Sequence, residues 1–164
     1  MEEWSIIKKG IQEAISNLQE YRLSEGTELK NDFEQRVKIL QEKLEEVIDQ
    51  DANRLDQVRE RLRKAIKDLE QTVDENRFEQ ELIYYLEKLD ITEEKVRLTN
   101  HLNYFIQELN VSVSNGKKLG FISQEIGREI NTIGSKANFA PMQKVVVEMK
   151  DELEKIKEQL LNVL

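Results

Sequence analysis

The spacing of apolar residues constrains this chain most, because they recur at steps of three and four almost from end to end. Leu29, Phe33, Val37, Leu40, Leu44 and Val47 form one run, and Leu55, Val58, Leu62, Ile66, Leu69 and Val73 form a second. This period keeps one face of an α-helix apolar, and no segment alternates with the period of two that a half-buried strand needs. The expected fold is therefore all-α. Lys, Arg and Glu fill the positions between, and Asp49-Gln50-Asp51 separates the runs. The two are read as a long antiparallel helical, coiled-coil-like arm whose charges form a solvated surface. An earlier amphipathic segment carries Trp4, Ile7, Ile11, Ile15 and Leu18 and is expected to end before Ser24-Glu25-Gly26.

From Asn76 the pattern shortens, which divides the chain into an arm over 1–75 and a compact helical domain over 76–164. Phe78, Leu82, Leu86 and Leu89 line one helical face. Asp90-Ile91-Thr92-Glu93-Glu94 reads as the next helix start, with Thr92 as N-cap and acids in the first turn. That helix carries Val96, Leu98, Leu102, Phe105, Ile106 and Leu109 and is expected to break near Ser112-Val113-Ser114-Asn115-Gly116. A further helix is predicted over 117–136, and the last begins near Pro141, a residue tolerated in a first turn.

Charge and composition exclude several functions. The chain has no Cys, so it has no thiolate metal site, no disulfide and no Cys nucleophile, which fits a cytoplasmic location. No apolar run is long enough to span a membrane. A net charge of −8 argues against coating nucleic acid by bulk charge, although it permits a local basic site.

Such a site is visible in Gly116 to Lys136. Leu119, Ile122, Ile126, Ile130 and Ile133 fall on one narrow stripe, the core face. Almost opposite lie Gln124, Arg128, Asn131 and Ser135, where a plain solvent face would carry Lys and Glu. Uncharged hydrogen-bonding groups around one Arg suit a surface that orients a polar ligand. Lys117, Lys118, Arg128 and Lys136 against Glu125 and Glu129 make the segment locally +2, leaving −10 for the remainder. A phosphate-bearing partner is chemically reasonable here. The bland alternative is a helix–helix or subunit contact satisfied by Gln and Asn.

Glu94, Arg97 and His101, three and four residues apart, share one helical face and contain the chain's single His. Imidazole can move a proton near neutral pH, and a neighbouring carboxylate can orient it. A surface ion-pair network is the bland alternative. Glu79, Glu81 and Arg77 on the preceding helix offer further oxygen ligands and charge.

Three segments then carry a resemblance: Asn76-Arg77-Phe78-Glu79-Gln80-Glu81, Asp90 to Glu94 with Arg97-Leu98 and His101, and Gly116 to Lys136. In that order they resemble the C-terminal domain of the YicC family of bacterial proteins. The run Val145-Val146-Val147-Glu148-Met149-Lys150 and the closing Glu154 to Gln159 are similar as well, and the arm more loosely. Family members commonly have Leu-Asp-Phe where this chain has Leu119-Gly120-Phe121, and Asn where it has Gly127. The family also has a substantial N-terminal domain ahead of the matched region. The chain is thus expected to be a C-terminal part, with Met1 marking a trimmed end and with reduced or no activity alone.

The resemblance implies a metal-dependent endoribonuclease acting on RNA as a homo-oligomer, hexameric in full-length form. On that reading Glu81, Glu94, Glu125 and Glu129 hold Mn²⁺ or Mg²⁺. His101, Arg97, Glu94, Glu125 and Arg128 form the catalytic group. Lys117, Lys118, Gln124, Asn131, Ser135 and Lys136 bind substrate. Few aromatics imply little base stacking. The alternative is a non-catalytic helical oligomerisation or adaptor module.

Overall fold

The computed structural model describes residues 2–68, 74–111 and 115–163, all in helices or short turns between them, with no strand. Among the described residues five α-helices follow one another: α1 (Glu2–Asp68), α2 (Glu75–Leu89), α3 (Thr92–Leu109), α4 (Gly116–Ala137) and α5 (Ala140–Leu160). This is the all-α chain that the spacing predicts, a long N-terminal helix before packed C-terminal helices. Leu69 and Val73 of the second apolar run, and Ser112 to Ser114 of the expected break, lie outside the described residues.

The arm differs from its expectation. Residues 2–68 form one uninterrupted helix, so the runs on either side of Asp49-Gln50-Asp51 are not an antiparallel pair. None of those three residues is a helix breaker, and the helix also passes through Ser24-Glu25-Gly26. A single helical Gly costs only about 1 kcal/mol, too little to end a helix. The chain divides into two compact units, Met1–Gln35 and Arg36–Leu164. In the first, residues 3–28 are exposed throughout, among them Trp4, Ile7, Ile11, Ile15 and Leu18.

In the second unit one face of α1 is buried at Val37, Leu40, Leu44, Val47, Asp51, Arg54 and Val58, steps of three and four without a gap. Polar pairs fasten the same helix along its length. Arg36 reaches Glu152 at 3.1 Å and Lys43 reaches Glu148 at 2.7 Å on α5, Asp51 meets Lys95 on α3, and Arg63 meets Glu79 on α2.

Helices α3, α4 and α5 supply most of the core. Leu98, Leu102 and Phe105 of α3 face the predicted stripe of α4, while Met142, Val145, Met149, Leu153 and Ile156 of α5 cover its other flank. Each such side chain contributes about 1.5–3 kcal/mol on burial. Gly127 and Gly134 make the α4–α5 approach close: a Cβ would stand 3.2 Å from Leu153 Cδ2 at the first and 2.9 Å from Val146 Cγ1 at the second.

A side-chain cap starts α2. Asp74 accepts the backbone N–H groups of Asn76 and Arg77 at the start of α2. At α3 the cap shifts from its expected place. Thr92 is already the first helical residue, and Asp90 Oδ1 accepts both its N–H (3.3 Å) and its hydroxyl (2.7 Å). Ile91 therefore holds the N-cap position without a side-chain cap, and the carboxylate before it fixes the first helical residue. Pro141 falls in the first turn of α5, as predicted.

Candidate functional site

Helices α3 and α4 run antiparallel, because the start of α3 meets the end of α4 and the end of α3 meets the start of α4. Lys136 donates to Glu94 Oε1 at 2.8 Å, and at the other end Lys118 donates to Glu108 at 2.6 Å. One turn along α3 from Glu94, Arg97 pairs with Glu93 on its own helix and lies 4.0 Å from Glu129 on α4. The fold thus brings together Glu94 and Arg97 of one predicted group with Glu129 and Lys136 of the other. His101 is half-buried on the same face of α3, one further turn along.

Burial separates these groups. Glu94 and Glu129 are buried acids, at 6% and 7% exposure, whereas the Arg97 side chain is 56% exposed. Glu94 Oε2 is buried with no hydrogen-bond partner among the described residues, so the carboxylate has one oxygen on an ammonium and one with acceptor capacity to spare. Glu125 sits half-buried and holds Arg128 at 2.9 Å. Gln124, Arg128, Asn131 and Ser135 are all exposed, as the stripe predicts, and Ser135 spends its hydroxyl on the Thr132 carbonyl at 2.9 Å. Lys117 is exposed at the start of the same face. Lys118 stands 5.1 Å over the Tyr104 ring. Its hydrogen bond to Glu108 raises the ammonium's pKa and holds the Glu108 carboxyl below its ordinary range.

The predicted metal ligands are less concentrated than the resemblance implies. Glu81 is exposed on α2, beside a groove of about 360 Å³ formed with Leu62, Ile66, Phe78 and Tyr85. Among the described residues no three Asp, Glu or His side chains stand together as ligands for one ion. The donor set therefore fits no protein-only cage. Mg²⁺ commonly binds through one or two protein carboxylates and completes its shell with other oxygens, so a partial donor set is the only kind this surface could offer. Among the described residues Glu94 Oε2 is the one buried carboxylate oxygen without a partner.

A third group escapes the sequence reading. Arg54 is fully buried. Its guanidinium donates to Asp51 Oδ1 at 2.9 Å, to the carbonyls of Lys136 and Ala137 at 3.3 and 3.0 Å, and to the Leu89 carbonyl at 2.7 Å. One side chain of α1 thus closes the C-terminal ends of α2 and α4. Asp51 Oδ2 accepts from Lys95, the neighbour of Glu94, at 2.7 Å. The two buried residues of α1 grip the backbone of Lys136 and the residue beside Glu94, and so brace both sides of that pair. The available signal was register: Asp51 and Arg54 occupy stripe positions between Val47 and Val58.

Comparison with known proteins gives a consistent result. Residues 44–164 match the family described as "Endoribonuclease YicC-like, C-terminal". A probable endoribonuclease YicC of Clostridioides difficile is 37% identical over 163 residues, 98% of this chain and 56% of that protein. One from Haemophilus influenzae is 33% identical over 139 residues, 85% of this chain and 48% of that protein. The chain thus spans about half the length of these relatives. Ordered motifs, helical architecture and family match agree: the chain belongs to the YicC-like endoribonuclease family and carries its C-terminal domain.

Proposed function

We propose that the surface formed by α3 and α4 takes part in metal-dependent cleavage of RNA phosphodiester bonds. The observation that carries this reading is the pairing of Lys136 with Glu94 and of Arg97 with Glu129, which joins two distant segments into one surface beside a face of exposed amides and cations. The family name of the relatives supports the reaction class. Arg97 and Arg128 are exposed cations that can exchange their carboxylate partners for a phosphate and offset charge developing on it. Lys117, Lys118, Gln124, Asn131 and Ser135 lie along α4, where they would bind and orient the strand. His101 would take the proton of the attacking hydroxyl or return one to the leaving oxygen. Glu125 orients Arg128. Mn²⁺ or Mg²⁺, held through Glu94 and substrate, would supply Lewis-acid polarisation of a phosphate oxygen.

The same reading assigns the reaction to the cytoplasm and full activity to a homo-oligomer, hexameric when the region preceding this domain in the relatives is present. RNA cleavage in Mn²⁺, with and without EDTA, tests it on the 164-residue chain and on a form extended to the relatives' full length. The extended form should cut RNA, EDTA should abolish cutting, and the shorter chain should cut weakly or not at all. His101→Ala and Arg128→Ala should each slow cleavage by about 10²-fold or more. Wild-type rates in both variants would remove these residues from the reaction.

One observation favours an adaptor reading instead. The first unit leaves Trp4, Ile7, Ile11, Ile15 and Leu18 between 51% and 67% exposed, an apolar stripe suited to assembly. Assembly by light scattering without metal-dependent cleavage in the extended form would select that reading.

A further inference from the structure

Phe121 breaks the sorting of α4. Every other large apolar side chain of that helix, Leu119, Ile122, Ile126, Ile130 and Ile133, is at most 5% exposed, whereas Phe121 is 57% exposed. It does not stand among apolar neighbours. At 100° per residue, Lys117, Phe121, Gln124 and Arg128 fall within about 40° of one line along the helix. The ring therefore lies on the polar face, with a cation about 6 Å away along the axis on one side and another about 10 Å away on the other. Gly120 beside it has open space where a Cβ would stand.

We propose that Phe121 is a stacking platform for one unpaired base of RNA, with Lys117 and Arg128 taking backbone phosphates on either side. The proposal rests on the RNA reading above and deepens it to a substrate class: RNA single-stranded at this point. Charge complementarity selects this occupant, since a planar apolar surface between two cations matches a base between two phosphates. Arg128 is free to turn toward phosphate because its side chain is 73% exposed and its Glu125 partner is itself on the surface. A base has a π-face whatever its identity, so the contact confers strand preference without sequence preference. Although aromatic residues are few in this chain, one of them is placed where stacking requires it.

Fluorescence anisotropy in EDTA, which silences cleavage, measures the contact with three probes of equal length: oligoadenylate, a ribose-phosphate chain lacking bases, and an RNA duplex. Phe121→Ala should weaken oligoadenylate binding by about 5- to 150-fold and leave the other two probes within about twofold. Phe121→Leu, which keeps apolar bulk without a ring, should behave like Phe121→Ala, and Phe121→Trp should restore affinity. In a Trp4→Phe background, the emission of Phe121→Trp should be quenched by oligoadenylate and not by the abasic chain. Equal loss on all three probes, full affinity in Phe121→Leu, or no loss at all would each overturn the stacking role while leaving RNA binding intact. Failure of the wild-type chain to bind any probe would overturn the RNA reading as well. A change of mass on light scattering in Phe121→Ala would show a second copy on the ring, and would overturn the proposal in favour of self-association.

Discussion

Replacing Arg54 by Met removes the guanidinium and keeps a side chain of similar reach. Asp51 then loses donors at 2.9 and 2.7 Å and retains only Lys95, while the carbonyls of Leu89, Lys136 and Ala137 lose their Arg54 donors. Breaking a buried ion pair from one side costs about 3–5 kcal/mol. Each buried carbonyl left without a donor adds about 1 kcal/mol or more. Against this, Lys95 still neutralises Asp51, and the apolar Met gains about 1.5–3 kcal/mol by burial. The net loss should be about 4 kcal/mol, a large share of the roughly 5–15 kcal/mol that holds a domain together. Native-state hydrogen exchange at the Ile130 and Ile133 amides of α4 reads the stability of the second unit directly, whatever the first unit does. A double variant, Arg54→Met with Asp51→Asn, should lose less than the sum of the two single changes by about 2 kcal/mol, because either single change already breaks the Arg54–Asp51 pair. A loss below about 1 kcal/mol in Arg54→Met, or strict additivity, would refute the claim that this network holds the ends of α2 and α4.

Two glycines of α4 should respond oppositely to alanine. Gly120→Ala meets open space and should raise stability by about 0.5–1 kcal/mol through helix propensity, whereas Gly134→Ala meets Val146 Cγ1 at 2.9 Å and should lower it by about 1–2 kcal/mol. Val146→Ala in the same chain should recover part of the second loss, and urea melts check all three. Glu108 should make the α3–α4 junction acid-sensitive. Chiefly through its hydrogen bond to Lys118, its folded pKa lies below the ordinary 4.5, so the folded form binds fewer protons than the unfolded one. Its contribution is complete above pH 4.5 and is lost as pH falls through the depressed folded value. Amide shifts of Asn115 and Lys118 across an acid titration should follow that loss, and Glu108→Gln should abolish it.

How much of this could be read in the sequence depends on which residues fix one another locally. The stripe Leu119 to Ile133 predicts both the helix and its buried face, because apolar period alone decides which side of a helix is dry. The exposed positions of Gln124, Arg128, Asn131 and Ser135 follow from the same period. Asp49-Gln50-Asp51 misled for a physical reason. Charged residues between two apolar runs ordinarily mark a solvated turn, and Arg54 remains inside a buried stripe only because the ends of α2 and α4 bring three carbonyls to it. That convergence is a tertiary fact, invisible to spacing along α1. Thr92 misled more mildly, by one residue: Thr is a competent cap acceptor, but the N-cap position falls on Ile91.

The same contrast sorts the cations of the site. Lys118, Arg97, Arg128 and Lys136 are all paired with a carboxylate, so none offers phosphate an idle charge. An exposed pair holds with about 0–1 kcal/mol and yields easily to a phosphate that takes its place. A buried pair does not, because separating it leaves a charge in a dry environment. Arg128, at 73% exposure, belongs to the first kind, as does Arg97 on exposed Glu93, although Arg97 also lies 4.0 Å from buried Glu129; Lys136 on buried Glu94 belongs to the second. On the proposed RNA reading, phosphate contact would therefore fall to the two arginines and to Lys117. Lys136 instead stays on Glu94 and fixes where that carboxylate points. The net −8 of the chain is consistent with this division. Only cations on the exposed part of α3 and α4 can exchange partners, so on the proposed reading RNA would be admitted along one narrow surface and repelled by the rest.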